Sequence, residues 1–442
     1  MTVPVTNLWD DTISYEEKIT WINHNQHVCL NPFQTYYYQV DFNGQQDSKQ
    51  QRATLRNNCC CNILPTAEIE TVKHNILKGV RSKECVNCWN AESQTGSSER
   101  TISLLNVDSK TLNHFIKTGQ ADSYHYRIKF SNLCNLACRT CSPTFSSKYA
   151  QTYQLTVPDA LYQDIGSDPT TWARITDSIT ESCRTHDSVS ITLLGGESLI
   201  QPGAVKLIDW LIDQQLSVSL NITTNLTNLN TQLIKRLQYF NQVSIFASID
   251  SVCNNYEYIR WPAKFDTITG NLKRISQLNN TSLTIQPVWS LNNIFYIIDF
   301  LDWWYLWFTE NYEVPIRNVV MHRPYYMTIQ NLPIRYRPQL ITVLGTALDH
   351  PIFKSALQES LYHYVSGIKN FLESGQLVHD QFDLFLHETA RQDCATNSNF
   401  NIGNLRLYSI LTETDQQLYH QHPRLDLLPN DQRIVYTQHS PL

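Results

Sequence analysis

The sequence predicts an α/β fold in which short strands alternate with helices. Six segments rich in β-branched and apolar residues recur between residues 124 and 321, and stretches with helical periodicity separate them. Cysteines and glycines follow the first two strands. Strands that alternate with helices pair in parallel through right-handed crossovers. We therefore predict a core at 119–329, a cysteine-rich region before it at 1–118, and a mostly helical region after it at 330–442.

The first predicted strand, residues 124–130, leads into a loop that holds three cysteines. Cys134, Cys138 and Cys141 have the spacing C-x3-C-x2-C. Three thiolates can ligate three irons of a cubane cluster and leave the fourth iron open, whereas a structural cluster normally takes four cysteines. A zinc knot completed by a histidine is the alternative. The position at the carboxyl end of a strand, where barrel-type α/β folds place their active sites, favours the cluster.

The other predicted strands also end in polar residues or glycines. Gly195-Gly196-Glu197 follows the strand at 188–194, and such glycines let the backbone approach a ligand closely. The strands at 218–224 and 243–249 are followed by the polar residues Thr224, Asn225, Ser248, Asp250 and Arg260. The fifth and sixth strands are predicted at 283–288 and 319–321, with helices at 204–215, 231–240, 265–277 and 294–308.

The cysteine spacing and the Gly-Gly-Glu together resemble the radical S-adenosylmethionine (SAM) superfamily. The resemblance implies a partial (β/α)6 barrel and a [4Fe–4S] cluster at the three cysteines, whose open iron binds SAM. It also implies reductive cleavage of SAM to a 5′-deoxyadenosyl radical that takes a hydrogen atom from the substrate. Thr140 and Ser198 depart from the superfamily's usual aromatic residue and proline. Implied SAM contacts are Gly195, Gly196, Glu197, Thr224, Asn225, Ser248, Asp250 and Arg260, with a surface ion pair as the alternative for Arg260.

The N-terminal region carries a second group of cysteines. A β-like stretch at 35–42 and the hairpin turn signal Asn43-Gly44 precede a cysteine triplet at 59–61. Ligand spacing alone favours zinc. The segment from Glu84 to Arg100 resembles the twitch and SPASM auxiliary-cluster domains of radical SAM proteins, here placed before the core, which implies a second [4Fe–4S] cluster. The candidate ligands are Cys29, Cys59 or Cys60, Cys85 and Cys88.

Composition restricts the location and the partners. Twelve cysteines without a signal peptide predict a cytoplasmic protein whose clustered thiols bind metal. A net charge of −6 with no long basic stretch argues against nucleic acid, and the richest apolar run, 294–308, is too short to cross a membrane. Helices predicted at 333–348, 352–374 and 380–392 would cap the barrel or dock a partner.

The resemblance also suggests a substrate class. Radical SAM proteins with auxiliary domains of this type often modify peptides or proteins, so a peptide or protein substrate is predicted. The other expected partners are SAM and a reductant such as flavodoxin or ferredoxin. A small-molecule enzyme acting on a sugar or nucleotide, and a non-catalytic metal-binding protein that retains the fold, remain as alternatives.

Overall fold

The structure, a computed structural model, describes most of the core and parts of both flanking regions. The described residues are 15–40, 53–57, 66–95, 98–105, 107, 109–120, 123–155, 157–186, 188–311, 316, 319–321, 324–355, 358–376 and 380–421. Their strands are β1 (Thr35–Val40), β2 (Ala53–Asn57), β3 (Ser123–Ile128), β4 (Ser188–Leu193), β5 (Ser219–Thr224), β6 (Gln242–Ala247), β7 (Thr281–Ile285), β8 (Val288–Trp289) and β9 (Val319–Val320).

Five consecutive strands, β3 to β7, pair in parallel and confirm the predicted α/β class. The central strands bury every second residue, as the period-two pattern requires. In β4 the buried positions are Val189, Ile191 and Leu193. Because all five strands run in one direction, their carboxyl ends meet at one edge of the sheet. The closure of this sheet into a partial barrel stays a prediction.

The predicted fifth strand is interrupted. β7 ends at Ile285, and after Gln286 and Pro287 the short β8 pairs in parallel with β9. An isolated parallel bridge from Ile285 to Ile316 continues the same register. Proline has no N–H to donate to a ladder, which accounts for the break. The sixth predicted strand is therefore present as β9, beside the continuation of the fifth.

The N-terminal hairpin extends the core sheet. β1 and β2 are antiparallel, and β1 also pairs in parallel with β3. Asn43-Gly44, the predicted turn, lies outside the described residues. In the described part of the chain the sheet order is β2-β1-β3-β4-β5-β6-β7. The sheet thus crosses the boundary predicted after residue 118, and the domain limits stay a prediction.

Helices connect the strands and form most of the C-terminal region. Their starts follow ordinary capping rules: Asp168 accepts a hydrogen bond from the N–H of Thr171, and Pro169 occupies the first turn of its helix. The described helices are α1 (Tyr15–His24), α2 (Asn31–Gln34), α3 (Thr66–Leu77), α4 (Val86–Thr95), α5 (Glu99–Leu105), α6 (Ser109–Thr118), α7 (Ser147–Thr152), α8 (Pro169–Thr185), α9 (Pro202–Asp213), α10 (Thr231–Leu237), α11 (Cys253–Ile259), α12 (Phe265–Ser276), α13 (Ile297–Asn311), α14 (Arg337–Leu348), α15 (Glu359–Glu373), α16 (Phe382–Thr396), α17 (Phe400–Gly403), α18 (Leu405–Tyr408) and α19 (Glu413–His420).

The C-terminal helices pack on the core and on one another. α14 packs on α13 and α15, and α16 packs on α19. α15 also touches α4 of the N-terminal region. Within the described residues, no helix is both long and apolar enough to cross a bilayer.

Candidate active site at the carboxyl ends of the strands

The three-cysteine loop connects β3 to α7 and is held by serine hydroxyls at the start of that helix. Ser146 caps α7 and donates to the carbonyl oxygen of Leu136 at 2.6 Å. Ser147 Oγ accepts from the N–H of Cys134 at 3.1 Å. The N–H of Cys141 donates to the carbonyl of Cys138 at 3.0 Å and closes a turn between these two ligand candidates. The loop conformation is therefore set by the chain itself.

The electrostatic surroundings of the three thiols suit a cationic metal cluster. Burial raises the pKa of Cys134, raises that of Cys138 well above its usual value, and raises that of Cys141 to about 12. The pKa of Cys138 and that of Cys141 are also raised by the charge of a neighbouring cysteine. Thiolates become favourable in such a place when a metal supplies positive charge. Among the residues that the structure describes, no three His, Cys, Asp or Glu side chains are arranged to hold a single metal ion.

Gly195 and Gly196 let the loop after β4 lie directly against the cysteine loop. Both have positive φ, +80° and +54°. A Cβ on Gly196 would overlap the carbonyl oxygen of Leu133, and a Cβ on Gly195 would overlap the stem of Lys129. The N–H of Glu197 donates to the same Leu133 carbonyl at 2.8 Å. The close approach that requires glycine here is therefore made to the chain's own cysteine loop.

Glu197 is buried and joins the ends of β4 and β5. One carboxylate oxygen accepts from Thr224 Oγ1 at 2.7 Å and from the N–H of Leu199 at 3.1 Å. The other accepts from the N–H of Asn225 at 2.6 Å. Burial raises the pKa of Glu197, while these hydrogen bonds oppose that change. Both oxygens have protein donors, and these hydrogen bonds connect the ends of β4 and β5, while the predicted contact of Glu197 with SAM stays a prediction.

Asn225 extends this connection to the cysteine loop. Its Nδ2 donates to Asn135 Oδ1 at 3.0 Å, and Asn135 Nδ2 donates to Thr227 Oγ1 at 2.7 Å. Asn135 directly follows Cys134, so these hydrogen bonds connect the first cysteine of the loop to the end of β5. Sequence reasoning did not single out Asn135 or Thr227. The position of Asn135 next to Cys134 was the available signal.

Arg260 and Asp250 form a buried pair beside Cys138. Arg260 Nε donates to Asp250 Oδ2 at 2.7 Å, and Arg260 Nη1 lies 3.9 Å from Cys138 Sγ. Asp250 is 0% and Arg260 7% exposed, so the ion pair considered for Arg260 is present but is buried and does not lie at the surface. The predicted contact of Arg260 with SAM stays a prediction. Asp250 Oδ1 accepts from the N–H of Val288, the residue after the proline break. Half-buried Ser248 donates its N–H to the Thr224 carbonyl at 2.9 Å.

Three buried hydroxyls beside these residues have no hydrogen-bond partner among the described residues. They are Ser198 Oγ, Ser251 Oγ and Tyr256 Oη. Tyr256 is fully buried, and this burial raises its pKa, while the nearby charge of Arg260 lowers that pKa and the charge of Cys138 raises it, so Tyr256 lies near these two residues. Buried polar groups in folded proteins are nearly always paired. A polar ligand such as SAM could supply the hydrogen-bond partners that these hydroxyls lack.

A cavity of about 540 Å³ lies beside the cysteine loop. Its lining includes Leu133 and Cys134 of the loop, Lys148 and Gln151 of α7, and Tyr162 beyond that helix. Leu133 and Tyr162 are exposed large apolar side chains. Small-molecule sites usually have volumes of about 300–1,000 Å³, so this cavity is of ligand-binding size.

In the N-terminal region the structure buries the three cysteines that it describes. Cys29, Cys85 and Cys88 are 5%, 7% and 5% exposed, and Cys29 and Cys85 belong to one apolar cluster with residues of α1, α3 and α6. Cys59, Cys60 and Cys61 lie outside the described residues. The whole candidate ligand set of the N-terminal region therefore stays a prediction.

A buried arginine connects the segment before Cys29 to the helix that carries Cys88. Arg100 donates from Nε and Nη2 to the two oxygens of Glu92 at 2.9 and 2.6 Å. Its Nη1 donates to the Val28 carbonyl at 3.3 Å. Glu92 lies four residues after Cys88, on the same face of α4. The Glu84 to Arg100 segment singled out in the sequence thus contains a bidentate ion pair that aligns two candidate ligands.

The fold and site define a class of protein: an α/β chain with parallel strands whose carboxyl ends surround a three-cysteine loop. The resemblance to the radical SAM superfamily, predicted from the motifs, is confirmed by a curated relative. That relative is the sporulation killing factor maturation protein SkfB of Bacillus subtilis (strain 168), 24% identical over 166 residues. The match covers 37% of this chain and 36% of SkfB, so it spans about a third of the relative. No family model matches the chain.

Solved structures that match parts of the chain have low TM-scores and share little sequence with it. Native anSMEcpe with bound AdoMet and Cp18Cys peptide has a TM-score of 0.37 and 16% identity, over 51% of this chain and 59% of that one. Streptococcus suis SuiB bound to S-adenosylmethionine has a TM-score of 0.35 and 17% identity, over 63% and 60%. SuiB bound to precursor peptide SuiA has a TM-score of 0.35 and 14% identity, over 68% and 65%.

Proposed function

We propose that this chain is a radical SAM enzyme that reductively cleaves SAM and abstracts a hydrogen atom from a peptide or protein. The observation that carries the proposal is the loop of Cys134, Cys138 and Cys141, placed at the edge where the strand ends meet. When bound, a [4Fe–4S] cluster with SAM at its open iron supplies the electron and the 5′-deoxyadenosyl radical. The expected reductant is flavodoxin or ferredoxin, and the expected location is the cytoplasm.

The chain's own residues hold and orient these groups. The three cysteines would ligate the cluster, and the Arg260 guanidinium, held by Asp250, places a positive charge beside Cys138. Such a charge offsets part of the negative charge that thiolate ligands bring into a buried site. Glu197 aligns the strand ends, and the unpaired hydroxyls of Ser198, Ser251 and Tyr256 are available to polar groups of SAM.

A peptide or protein substrate is supported by the similarity to a maturation protein of a killing factor. The cavity beside Cys134 is large enough for a few residues of a peptide, and Gln151 and Lys148 on its wall can bind peptide carbonyls. We also propose that Cys29, Cys85, Cys88 and one of Cys59 or Cys60 hold an auxiliary [4Fe–4S] cluster. The burial of all three described cysteines supports this.

Iron and sulfide analysis after anaerobic reconstitution tests the proposal. The native chain should bind roughly eight irons, and a Cys134→Ala/Cys138→Ala/Cys141→Ala variant roughly four, as expected for two cubane clusters. If the native chain bound roughly four irons and the variant none, with zinc in the N-terminal region, the radical SAM core would still be supported and the auxiliary cluster would be excluded. A native chain that holds no iron, or that forms no 5′-deoxyadenosine from SAM and dithionite, would overturn the proposed activity.

A further inference from the structure

A second buried ion pair joins the cysteine loop to the C-terminal helices. Arg139 directly follows Cys138, and its Nη2 forms a salt bridge with Oδ1 of Asp393 on α16. Arg139 is 1% exposed and Asp393 is 4% exposed. The same Nη2 donates to Ser398 Oγ at 2.8 Å. Arg139 Nη1 donates to Gln392 Oε1 at 3.3 Å. The cationic side chain of the loop is therefore anchored by a carboxylate in the last part of the chain.

Asp393 is itself held from two further directions. Tyr419 of α19 donates its hydroxyl to Asp393 Oδ2 at 2.7 Å, and Tyr258 of α11 donates to the same oxygen at 3.3 Å. The Arg139 guanidinium lies over the Tyr258 ring, 3.6 Å from its centroid. A carboxylate with this many donors has one orientation, and it transmits that orientation to Arg139.

The backbone repeats the same connection. The N–H of Arg139 donates to the Ile259 carbonyl at 2.8 Å, and the N–H of Ala137 donates to the Trp261 carbonyl at 2.8 Å. Gln392 Nε2 donates to the Arg139 carbonyl at 3.3 Å. The segment bonded to the loop contains Arg260, which lies beside Cys138. The cysteine loop, the Arg260 segment and α16 thus meet at one residue.

We propose that Asp393, acting through Arg139, is a positioning residue for the Cys134-Cys138-Cys141 loop, so that the C-terminal helices are part of the site that holds the cluster. This inference rests on the proposed function. Removing one member of a buried ion pair leaves the other charge uncompensated, and here that charge lies between two ligand candidates. Groups that orient metal ligands typically change metal affinity by about 10–100-fold when they are mutated.

The test compares Asp393→Asn with a matched control, Asp415→Asn, in the full chain. Asp415 is also a buried carboxylate of the C-terminal helices, and its ion-pair and tyrosine partners, Arg335 and Tyr336, lie in the C-terminal region instead of the cysteine loop. Iron retained under a chelator is measured, together with the EPR spectrum of the reduced cluster with and without SAM. KM for SAM and kcat for its cleavage are measured separately.

Asp393→Asn should bind iron at least about tenfold more weakly than the native chain, and therefore retain less iron under the chelator, and it should show a reduced change in its EPR spectrum on SAM addition. Asp415→Asn should keep both properties, whatever it does to the melting temperature. Tyr419→Phe removes one hydrogen-bond donor to Asp393. It should lower iron retention and the EPR response to SAM as Asp393→Asn does, but by a smaller factor. It serves as the test where Asp393→Asn does not fold.

Native iron retention and a native EPR response in Asp393→Asn, or in folded Tyr419→Phe, would overturn the inference. Equal iron loss in Asp393→Asn and Asp415→Asn would also overturn it, because general destabilisation would then be the cause. A native chain that binds no iron in the loop would instead be a failure of the proposed function. The two failures are therefore distinguishable.

Discussion

The two cysteine sites differ in where their supporting residues lie along the chain. Arg100 in the N-terminal region forms its ion pair with Glu92, 8 residues away, on a neighbouring helix. Arg139 in the core forms its ion pair with Asp393, 254 residues away. A support within one region needs only that region to fold, whereas a long-range support needs nearly the whole chain. The support of the two cysteine sites therefore depends on very different parts of the molecule.

The largest expected effect is the loss of SAM cleavage when a cysteine of the core loop is replaced. Cys138→Ala should abolish cleavage of SAM, because Cys138 is the most deeply placed of the three loop thiols and lies beside Arg260. Formation of 5′-deoxyadenosine under dithionite is measured against the native chain. Continued formation of this product by the variant would show that the loop does not hold the catalytic cluster.

The corresponding change in the N-terminal region should leave that chemistry intact. Cys88→Ala should lower the iron content by roughly four atoms while SAM is still cleaved. The product to be measured is again 5′-deoxyadenosine, now together with iron per chain. If Cys88→Ala stopped SAM cleavage as completely as Cys138→Ala, the two sites would not be separate.

A glycine comparison tests how tightly the loops of the core site are packed. Gly196→Ala should lower the free energy of unfolding by about 2 kcal/mol or more, because a Cβ there meets the Leu133 carbonyl and the backbone has positive φ. At Gly270, within α12, an added Cβ would have no neighbouring atom within 4 Å, so Gly270→Ala should stabilise by up to about 1 kcal/mol. Denaturant unfolding of the apo chains measures both. Equal effects would contradict the packing described.

Replacing Arg100, which supports the N-terminal cysteine site, should have a moderate effect on stability. Arg100→Lys loses bidentate pairing with Glu92 in a buried place, and we expect a cost of about 1–3 kcal/mol. Arg236→Lys is the matched control, because Arg236 also pairs with both oxygens of its partner, Asp209, but at a partly exposed position. Its expected cost is below about 1 kcal/mol. Thermal unfolding of both variants decides whether burial makes the difference.

The smallest expected effect concerns a single hydroxyl. Tyr256→Phe should weaken SAM binding by about 0.5–1.5 kcal/mol, as expected for loss of one hydrogen bond, while the iron content is unchanged. The ring stays buried, so the fold should be retained. Calorimetric titration of the reconstituted enzyme with SAM provides the measurement. Unchanged affinity would remove Tyr256 from the SAM site.

Local patterns located much of the fold and of the candidate site. The alternation in residues 188–194 and 243–249 predicted β4 and β6 within two residues at each end. Cysteine spacing located the loop, and Gly-Gly-Glu located its neighbour. The break at Pro287 was missed because 283–288 was taken as one continuous strand, although a proline there was a usable signal. The pairing of β1 with β3 had no local signal, since strand order is set by contacts between distant segments.

The sequence by itself determined the α/β class, the three-cysteine loop and the burial pattern of the strands, because these follow from local periodicity and residue chemistry. Tertiary structure alone decided that both oxygens of Glu197 are taken by donors at the end of β5 and in its own loop, and that Arg260 is buried against Asp250. It also decided that Asp393 anchors Arg139. The physical reason is that a buried charge must find its partner in space, and neither spacing nor composition records which distant residue folding brings to it.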